Sequence, residues 1–241
     1  DSWLWRRLDR AIYRQFDRMA AISTQTRDAL TTAHPQVAAK TVTVRNGAAL
    51  RFVTPPERPD TSTPPTILTV ARLARAKNIE TALAALHQIA DRPWSYVVAG
   101  DGALRPVLEA RANELGIADR VTFLGNVTDV TELLRSADIF LLPSLWEGFG
   151  LAAVEAMNAA LPVVASDVPG LSDIVAPAGN PVIAPDDVQG FAQALGRLID
   201  APAQRSQLGL AGFEAAKAYD KVGMARDYLA MWRDLPERVA A

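Results

Sequence analysis

Short apolar runs alternate with amphipathic segments from residue 66 onward. The runs predict six strands, at residues 67–71, 96–99, 121–124, 139–142, 163–165 and 182–183. A helical period between and after them predicts helices at about 78–90, 103–115, 129–136, 150–159, 187–200, 203–218 and 221–233. Several strands are apolar at consecutive positions, which is typical of a parallel sheet with helices on both faces. The pattern predicts an α/β fold with a doubly wound parallel sheet.

The first 65 residues follow a different pattern. Residues 3–19 predict an amphipathic helix with one apolar and one basic face (Trp5, Leu8, Ala11, Ile12, Phe16 and Met19 against Arg7, Arg10, Arg14 and Arg18). We expect the apolar face to pack on a sheet, and a helix lying on a membrane surface is the alternative. Ser23 is a predicted N-cap for a helix that runs to Ala33, and residues 41–44 predict a strand. Residues 54–65 hold five prolines and predict a linker.

The composition of the chain excludes several classes of function. The chain has 241 residues, 49% of them hydrophobic, and a net charge of −2, so it can bury a full core and is not a generally basic nucleic-acid binder. The chain has no cysteine, which excludes disulfides and a cysteine nucleophile. It has two histidines, and these leave few side chains that could form a metal centre. No apolar run approaches the roughly 20 residues of a membrane-spanning helix. Because the chain starts at Asp1, with no initiator methionine, we expect it to be a piece of a longer protein.

Ligands of doubly wound sheets bind beyond the carboxyl ends of the strands. The densest candidate group follows the fourth predicted strand and leads into a helix that carries Glu155 (Glu147-Gly148-Phe149-Gly150-Leu151). Glycines let the backbone approach a ligand, and the first amides of a helix suit a phosphate or a sugar hydroxyl. Ionised carboxylates accept hydrogen bonds and therefore suit sugars and ribose. Either glutamate alone is typical of a solvated surface, but both glutamates with two glycines at a strand end favour a binding site.

Arg72 and Lys77 follow the first predicted strand of the sheet. Arginine grips a phosphate with two hydrogen bonds, and lysine supplies a mobile point charge. Two ordinary surface cations are the alternative. The sequence contains no Asp-x-Asp pair of the kind that commonly holds a metal with a diphosphate. We therefore expect no metal and no cofactor.

The run from Glu147 to Glu155 resembles the E-x7-E motif of family 4 glycosyltransferases of the GT-B fold. Further segments match in the family's order (Asn46-Gly47, Val70-Ala71-Arg72-Leu73 with Lys77, Val98-Ala99-Gly100-Asp101-Gly102, Phe123-Leu124-Gly125-Asn126-Val127, Ala137-Asp138, and Pro162-Val163-Val164-Ala165-Ser166 to Gly170). The similarity spans about residues 40–235.

The resemblance implies a retaining, metal-independent transferase whose donor is a nucleoside-diphosphate sugar. It implies that Arg72 and Lys77 hold the diphosphate and stabilise the leaving group. Glu147 is implied to bind donor-sugar hydroxyls, and Glu155 the ribose hydroxyls. The remaining implied donor contacts are Gly102, Asn126 and Val127, the last two beside the base, with Gly148 and the backbone of Phe149, Gly150 and Leu151.

The sequence departs from the family's pattern in two ways. The family usually has glycine at the positions of Ala71 and Asn78, so the backbone approach to the phosphates is expected to differ. The histidine and the glycine-rich loop of the family's N-terminal domain have no counterpart here. By itself, the chain is therefore expected to bind a donor but to transfer sugar poorly or not at all.

The resemblance also implies a division of the chain. Residues 1–45 are expected to be a remnant of the acceptor-binding domain, 46–65 an interdomain segment and linker, 66–220 the nucleotide-sugar domain, and 221–241 a C-terminal helix. A glycan or lipid-linked acceptor would bind through the N-terminal half. The implied location is the cytoplasm, and the basic first helix is compatible with peripheral contact at the inner membrane face. A non-catalytic nucleotide-sugar or carbohydrate-binding module, and a sugar-nucleotide epimerase or a phosphorylase, are the alternative functions.

Overall fold

The computed structural model describes residues 3–57 and 64–235, and within these ranges it leaves out the side chains of residues 3–7 and 10. The chain forms two compact units. The larger unit is residues 48–218, and the smaller one combines the residues up to Gly47 with those from Tyr219 onward. No helix within the described ranges is long and apolar enough to cross a bilayer.

The smaller unit begins with two helices and two short parallel strands: α1 (Trp3–Arg14), β1 (Met19–Ala21), α2 (Thr24–Ala33) and β2 (Thr41–Thr43). The predicted N-cap is confirmed, because the Ser23 Oγ accepts a hydrogen bond from the Thr26 N–H at 3.1 Å. A 3₁₀ helix of six residues, Pro35–Lys40, leads into β2.

The first helix is shorter than predicted. It ends at Arg14, so the prediction of a helix to residue 19 is wrong. Two contacts from distant sequence explain the early end. Met19–Ala21 pairs with β2, and the Lys40 Nζ donates to the carbonyl oxygens of Tyr13 and Phe16.

The predicted packing of the first helix is also wrong for three large apolar side chains. Leu8, Ile12 and Phe16 are 48%, 42% and 50% exposed. Strands of three residues offer too small a face to cover a helix of twelve residues. The side chains of Trp5, Arg7 and Arg10 lie outside the described ones.

The larger unit is built on a six-stranded parallel sheet, with strands β3 (Thr66–Val70), β4 (Ser95–Ala99), β5 (Val121–Gly125), β6 (Ile139–Leu142), β7 (Val163–Ser166) and β8 (Val182–Ile183). The order across the sheet is β5-β4-β3-β6-β7-β8, and every neighbouring pair is parallel. All six strands lie where the apolar runs predict them. The α/β fold class with a doubly wound parallel sheet is confirmed.

Helices follow the strands as the helical period predicts: α3 (Ile79–Gln88), α4 (Arg105–Glu114), α5 (Thr131–Ser136), α6 (Leu151–Asn158), α7 (Ser172–Val175), α8 (Val188–Asp200), α9 (Pro202–Ala216) and, in the smaller unit, α10 (Lys221–Arg233). The sequence analysis missed α7, because a helix of four residues is too short to show a period. The middle strands are buried on both faces, as at Phe140 and Leu141, both 0% exposed. This double burial explains why apolar residues occupy consecutive positions.

Candidate functional site

The site lies where the order of the strands reverses. From β3 the chain moves outward through β4 and β5, then returns to the other side of β3 to form β6. Loops that leave two such strands at their carboxyl ends diverge and open a crevice. Here they are residues 71–78 after β3 and residues 143–150 after β6. The two loops are joined by a hydrogen bond from the Leu145 N–H to the Ala76 carbonyl oxygen, at 2.8 Å.

An ion pair links the two loops. The Lys77 Nζ lies 2.5 Å from the Glu147 Oε1, and the side chains are 23% and 11% exposed. The same carboxylate oxygen accepts a hydrogen bond from the Ser144 Oγ at 3.0 Å, and Ser144 is fully buried. Two predicted site residues that are 70 positions apart in sequence are thus in direct contact.

Glycine is required at two positions of the site. Gly150, which precedes α6, has a φ of +88°, and an added Cβ there would lie 2.8 Å from the Leu171 side chain. Gly102 lies so close to the β3 loop that a Cβ would be 2.3 Å from the Leu73 carbonyl oxygen. The loops after β3 and β4 are also hydrogen-bonded, from the Leu73 N–H to the Asp101 carbonyl oxygen at 2.9 Å.

A cavity of about 620 Å³ opens beyond the carboxyl ends of β3, β4 and β5. Its volume lies within the range of small-molecule sites. The lining brings together four of the predicted site residues with their neighbours (Val70, Ala71, Arg72, Ala99, Gly100, Asp101, Gly102, Asn126, Val127 and Val130). Arg72 supplies a cation at one side of the cavity, and the loop that follows β5 forms another side.

Glu155 lies on α6 and has a different environment from Glu147. Burial raises the pKa of the Glu155 carboxyl, and the positive charge of Arg51 acts in the opposite direction. The Arg51 Nη1 donates to the Asp129 Oδ1 and to the Thr131 Oγ1, both at 2.5 Å. Hydrogen bonds from the side chain and backbone of Thr131, followed by the charge of Arg51, hold the pKa of Asp129 below its ordinary value.

The backbone beside Arg51 is held by a buried asparagine. The Asn158 Oδ1 accepts hydrogen bonds from the N–H groups of Arg51 and Phe52, at 2.7 and 3.0 Å. Its Nδ2 donates to the Phe52 carbonyl oxygen at 3.0 Å, and Asn158 is 2% exposed. Sequence reasoning missed Arg51 and Asn158, because their partners lie 78 to 107 positions away.

The structure gathers the predicted site residues into separate groups. Lys77 and Glu147 pair at the strand reversal, Arg72, Gly102, Asn126 and Val127 line the cavity, and Glu155 lies on α6 within the electrostatic influence of Arg51. Of the residues that precede or begin α6, Phe149 is 5% and Leu151 is 43% exposed, and Gly148 is exposed. The predicted roles of these residues remain predictions.

Asparagine and alanine, at the two positions where the family usually has glycine, have different structural consequences. Asn78 adopts the left-handed conformation, with a φ of 52°, which asparagine tolerates better than most residues. Its Nδ2 donates to the Pro185 carbonyl oxygen at 3.0 Å, a contact that glycine lacks. Ala71 has no positive φ, so alanine is accommodated there without backbone strain.

No group of three histidine, aspartate or glutamate side chains in the described parts of the chain is placed to hold a metal ion. Metal independence nevertheless remains a prediction, because in many phosphate sites the phosphate group of the ligand supplies oxygens that bind the metal ion.

Comparison with known proteins identifies the family. The family model "Glycosyl transferases group 1" matches residues 54–215. The chain is 32% identical over 209 residues to a glycogen synthase of Mycobacterium tuberculosis, covering 84% of the chain and 48% of that protein. It is 36% identical over 144 residues to the 2-deoxystreptamine glucosyltransferase of Streptomyces kanamyceticus, covering 58% of the chain and 37% of that protein. The chain therefore covers less than half the length of either relative.

Solved structures show the same fold. The Anabaena protein HepE, crystallised with UDP and glucose, aligns with a TM-score of 0.84 and 21% identity, over 98% of this chain and 68% of that one. Sucrose-phosphate synthase from Thermosynechococcus elongatus aligns with a TM-score of 0.82 and 29% identity, over 95% of this chain and 60% of that one. The chain belongs to the group 1 glycosyltransferase family, and its six-stranded sheet is the Rossmann-like sheet of GT-B glycosyltransferases.

Proposed function

We propose that this chain is the donor-binding half of a retaining, metal-independent glycosyltransferase that uses a nucleoside-diphosphate sugar. The observation that carries the proposal is the cavity of about 620 Å³ whose wall includes Arg72, on the same loop as Lys77, which pairs with Glu147 of the facing loop. A nucleoside diphosphate needs a pocket for its base, a cation for its phosphates and acceptors for its hydroxyls. All three are present along the carboxyl edge of β3, β4 and β6.

The nucleotide would lie across the reversal of strand order. Asn126 and Val127, at the far side of the cavity, would contact the base, and Glu155 would accept hydrogen bonds from the ribose hydroxyls. Arg72 and Lys77 would hold the diphosphate. HepE, which has the same fold, was crystallised with UDP, and this supports a nucleoside diphosphate as the ligand.

The sugar would lie beside Glu147, where the carboxylate and the backbone of Phe149, Gly150 and Leu151 bind its hydroxyls. The acceptor hydroxyl would attack the anomeric carbon from the face that the diphosphate leaves. The bond between that carbon and the diphosphate oxygen breaks, the new glycosidic bond forms on the same face, and the leaving phosphate takes the acceptor's proton. Arg72 and Lys77 would stabilise the negative charge that develops on the diphosphate.

Calorimetric titration with UDP, GDP, ADP and their sugar conjugates, with and without a chelator, tests the donor site. We expect one base series to bind and Glu155→Gln to weaken it about tenfold, through the loss of hydrogen bonds to a charged group. Glu214→Gln is the matched control, since Glu214 pairs with Lys217 at the surface of α9. A folded chain that bound none of these nucleotides would refute the donor site, and binding that the chelator abolished would refute metal independence.

The acceptor and the location belong to the same proposal. We infer a glycan or lipid-linked acceptor held by an N-terminal half, so the chain alone would transfer sugar poorly or not at all. Turnover after mixing with such a half would support a transferase, and binding without turnover would favour a non-catalytic module. The proposed location is the cytoplasm. Peripheral membrane contact through α1 and the residues after it is supported by the exposed Leu8 and Ile12 in the helix and Phe16 beyond its end.

A further inference from the structure

Arg51 connects two parts of the larger unit that lie far apart in sequence. Its Nη1 donates to the Asp129 Oδ1 and to the Thr131 Oγ1, each at 2.5 Å. The Thr131 Oγ1 and N–H both donate to the same Asp129 oxygen, at 2.6 and 3.0 Å. Arg51 therefore closes a ring of hydrogen bonds where the loop after β5 enters α5.

The other end of Arg51 is fastened to α6. The Asn158 Oδ1 accepts the Arg51 N–H at 2.7 Å, and Asn158 is 2% exposed. The same asparagine holds both the N–H and the carbonyl oxygen of Phe52. Because three hydrogen bonds fix this backbone, the Arg51 side chain starts from a defined point on the last turn of α6.

The two attachment points of Arg51, at Asp129 and Thr131 and at Asn158, lie next to different parts of the proposed donor site. Residues 126–130, which precede Thr131, contribute Asn126, Val127 and Val130 to the wall of the cavity. On α6, Glu155 lies one turn before Asn158, and its carboxyl responds to the positive charge of Arg51. Arg51 thus connects the loop beside the cavity wall to the helix that carries Glu155.

We propose that Arg51 is a positioning residue for the donor nucleoside, holding the loop 126–130 at a fixed place relative to Glu155. The proposal rests on the donor-binding function proposed above. Arg51 itself need not touch the donor. It acts through Asp129 and Thr131 on the base side, and through the backbone that Asn158 holds on the ribose side.

Arginine suits this role because its guanidinium is rigid and always charged. The pair is also exposed, at 38% for Arg51 and 67% for Asp129, and exposed pairs contribute little to global stability. Arg51→Ala is therefore expected to fold, which leaves its effect on the donor site measurable.

The test compares Arg51→Ala and Arg51→Lys with the control Arg111→Ala, whose residue pairs with Glu114 at 2.9 Å on the surface of α4. Two kinds of probe are titrated: the nucleoside diphosphate that the wild-type chain binds, and inorganic pyrophosphate, which has no nucleoside. We expect Arg51→Ala to weaken the nucleotide about three- to tenfold and to leave pyrophosphate unchanged. Lysine, which keeps the charge and can reach one partner, should restore part of the loss.

Amide hydrogen exchange without added nucleotide supplies an independent measurement. We expect residues 126–131 to exchange faster in Arg51→Ala than in the wild type or in Arg111→Ala. Unchanged exchange there, or an equal loss of affinity for pyrophosphate and nucleotide, would overturn the positioning role. If the wild-type chain bound pyrophosphate but no nucleotide, the donor function would fail and the role of Arg51 with it, even where exchange showed that the bridge exists.

Discussion

Lys77 and Glu147 form an ion pair, whereas the proposed function gives each of them a donor group as its partner. Lys77 would turn to a phosphate, and Glu147 would turn to the sugar hydroxyls. Glu147→Gln removes the charge that competes for Lys77 and keeps an oxygen that can accept the Ser144 hydroxyl. We therefore expect this variant to bind UDP, or whichever diphosphate the chain takes, more tightly than the wild type.

The size of the effect follows from the exposure of the pair. With 23% and 11% of the two side chains exposed, the pair is intermediate between surface and buried ion pairs, and its net contribution is about 1 kcal/mol. Releasing Lys77 should then tighten diphosphate binding by up to about fivefold. Lys77→Ala loses a charge-assisted contact with the phosphate that is worth about 1.5–3 kcal/mol. The wild type gives up about 1 kcal/mol when Lys77 leaves Glu147, and this amount is subtracted from the loss. The expected loss is therefore about two- to thirtyfold.

Calorimetry of four proteins decides the point: wild type, Lys77→Ala, Glu147→Gln and the double variant. The double variant should bind the diphosphate as Lys77→Ala does, because it has no lysine to release. For the sugar conjugate, Glu147→Gln should lose the extra affinity that the sugar contributes. If Glu147→Gln weakened the bare diphosphate as much as Lys77→Ala does, the two residues would act together on the phosphates, and the division of roles would be refuted.

Three further predictions concern Glu155, Asn158 and Gly102. Burial raises the pKa of Glu155, and it is the ionised carboxylate that accepts the ribose hydrogen bonds. The affinity for nucleotide should therefore fall as pH falls through that raised pKa, at a pH above the range in which an ordinary glutamate titrates. Glu155→Gln should flatten this part of the pH profile. Asn158→Ala removes three hydrogen bonds to a partly exposed segment and should lower the free energy of unfolding in urea by about 2 kcal/mol, whereas Asn113→Ala, at an exposed position, should change it little. Gly102→Ala places a Cβ 2.3 Å from a carbonyl oxygen of the β3 loop and should lower stability by about 1–3 kcal/mol and weaken nucleotide binding, while Gly223→Ala, with open space around it, should do neither.

The sheet could be predicted because burial on both faces leaves a mark in local sequence. Residues 139–142 are apolar without interruption and form β6 with the predicted bounds. The first helix shows where local pattern fails. Its period continues to Met19, but the hydrogen bonds of Met19–Ala21 go to β2, more than 20 positions away. Pairing with β2, a strand distant in sequence, determines the structure of residues 19–21, and a short window of local sequence does not include that strand.

For the candidate site, too, some features could be predicted from local sequence and others could not. The strand ends and the glycine-rich start of α6 mark the expected place of a ligand site, so Arg72, Gly102 and Asn126 could be singled out from order along the chain, and they do line one cavity. Their pairings could not be predicted. The contact of Lys77 with Glu147 depends on β3 and β6 being neighbours, a consequence of the reversed strand order.

Two cations act on the glutamates of the proposed site, and they differ in how firmly they are held. Lys77 reaches Glu147 as a flexible side chain with a single ionic contact, whereas Arg51 is fixed at its backbone by Asn158 and at its guanidinium by two partners. A contact that must change partner when the diphosphate binds suits lysine, because its charge moves on a flexible stem. A contact that must persist suits arginine, whose planar group is already organised for its acceptors. The distribution of the two residue types therefore fits a site in which one cation moves onto the donor while the other keeps the nucleoside pocket in shape.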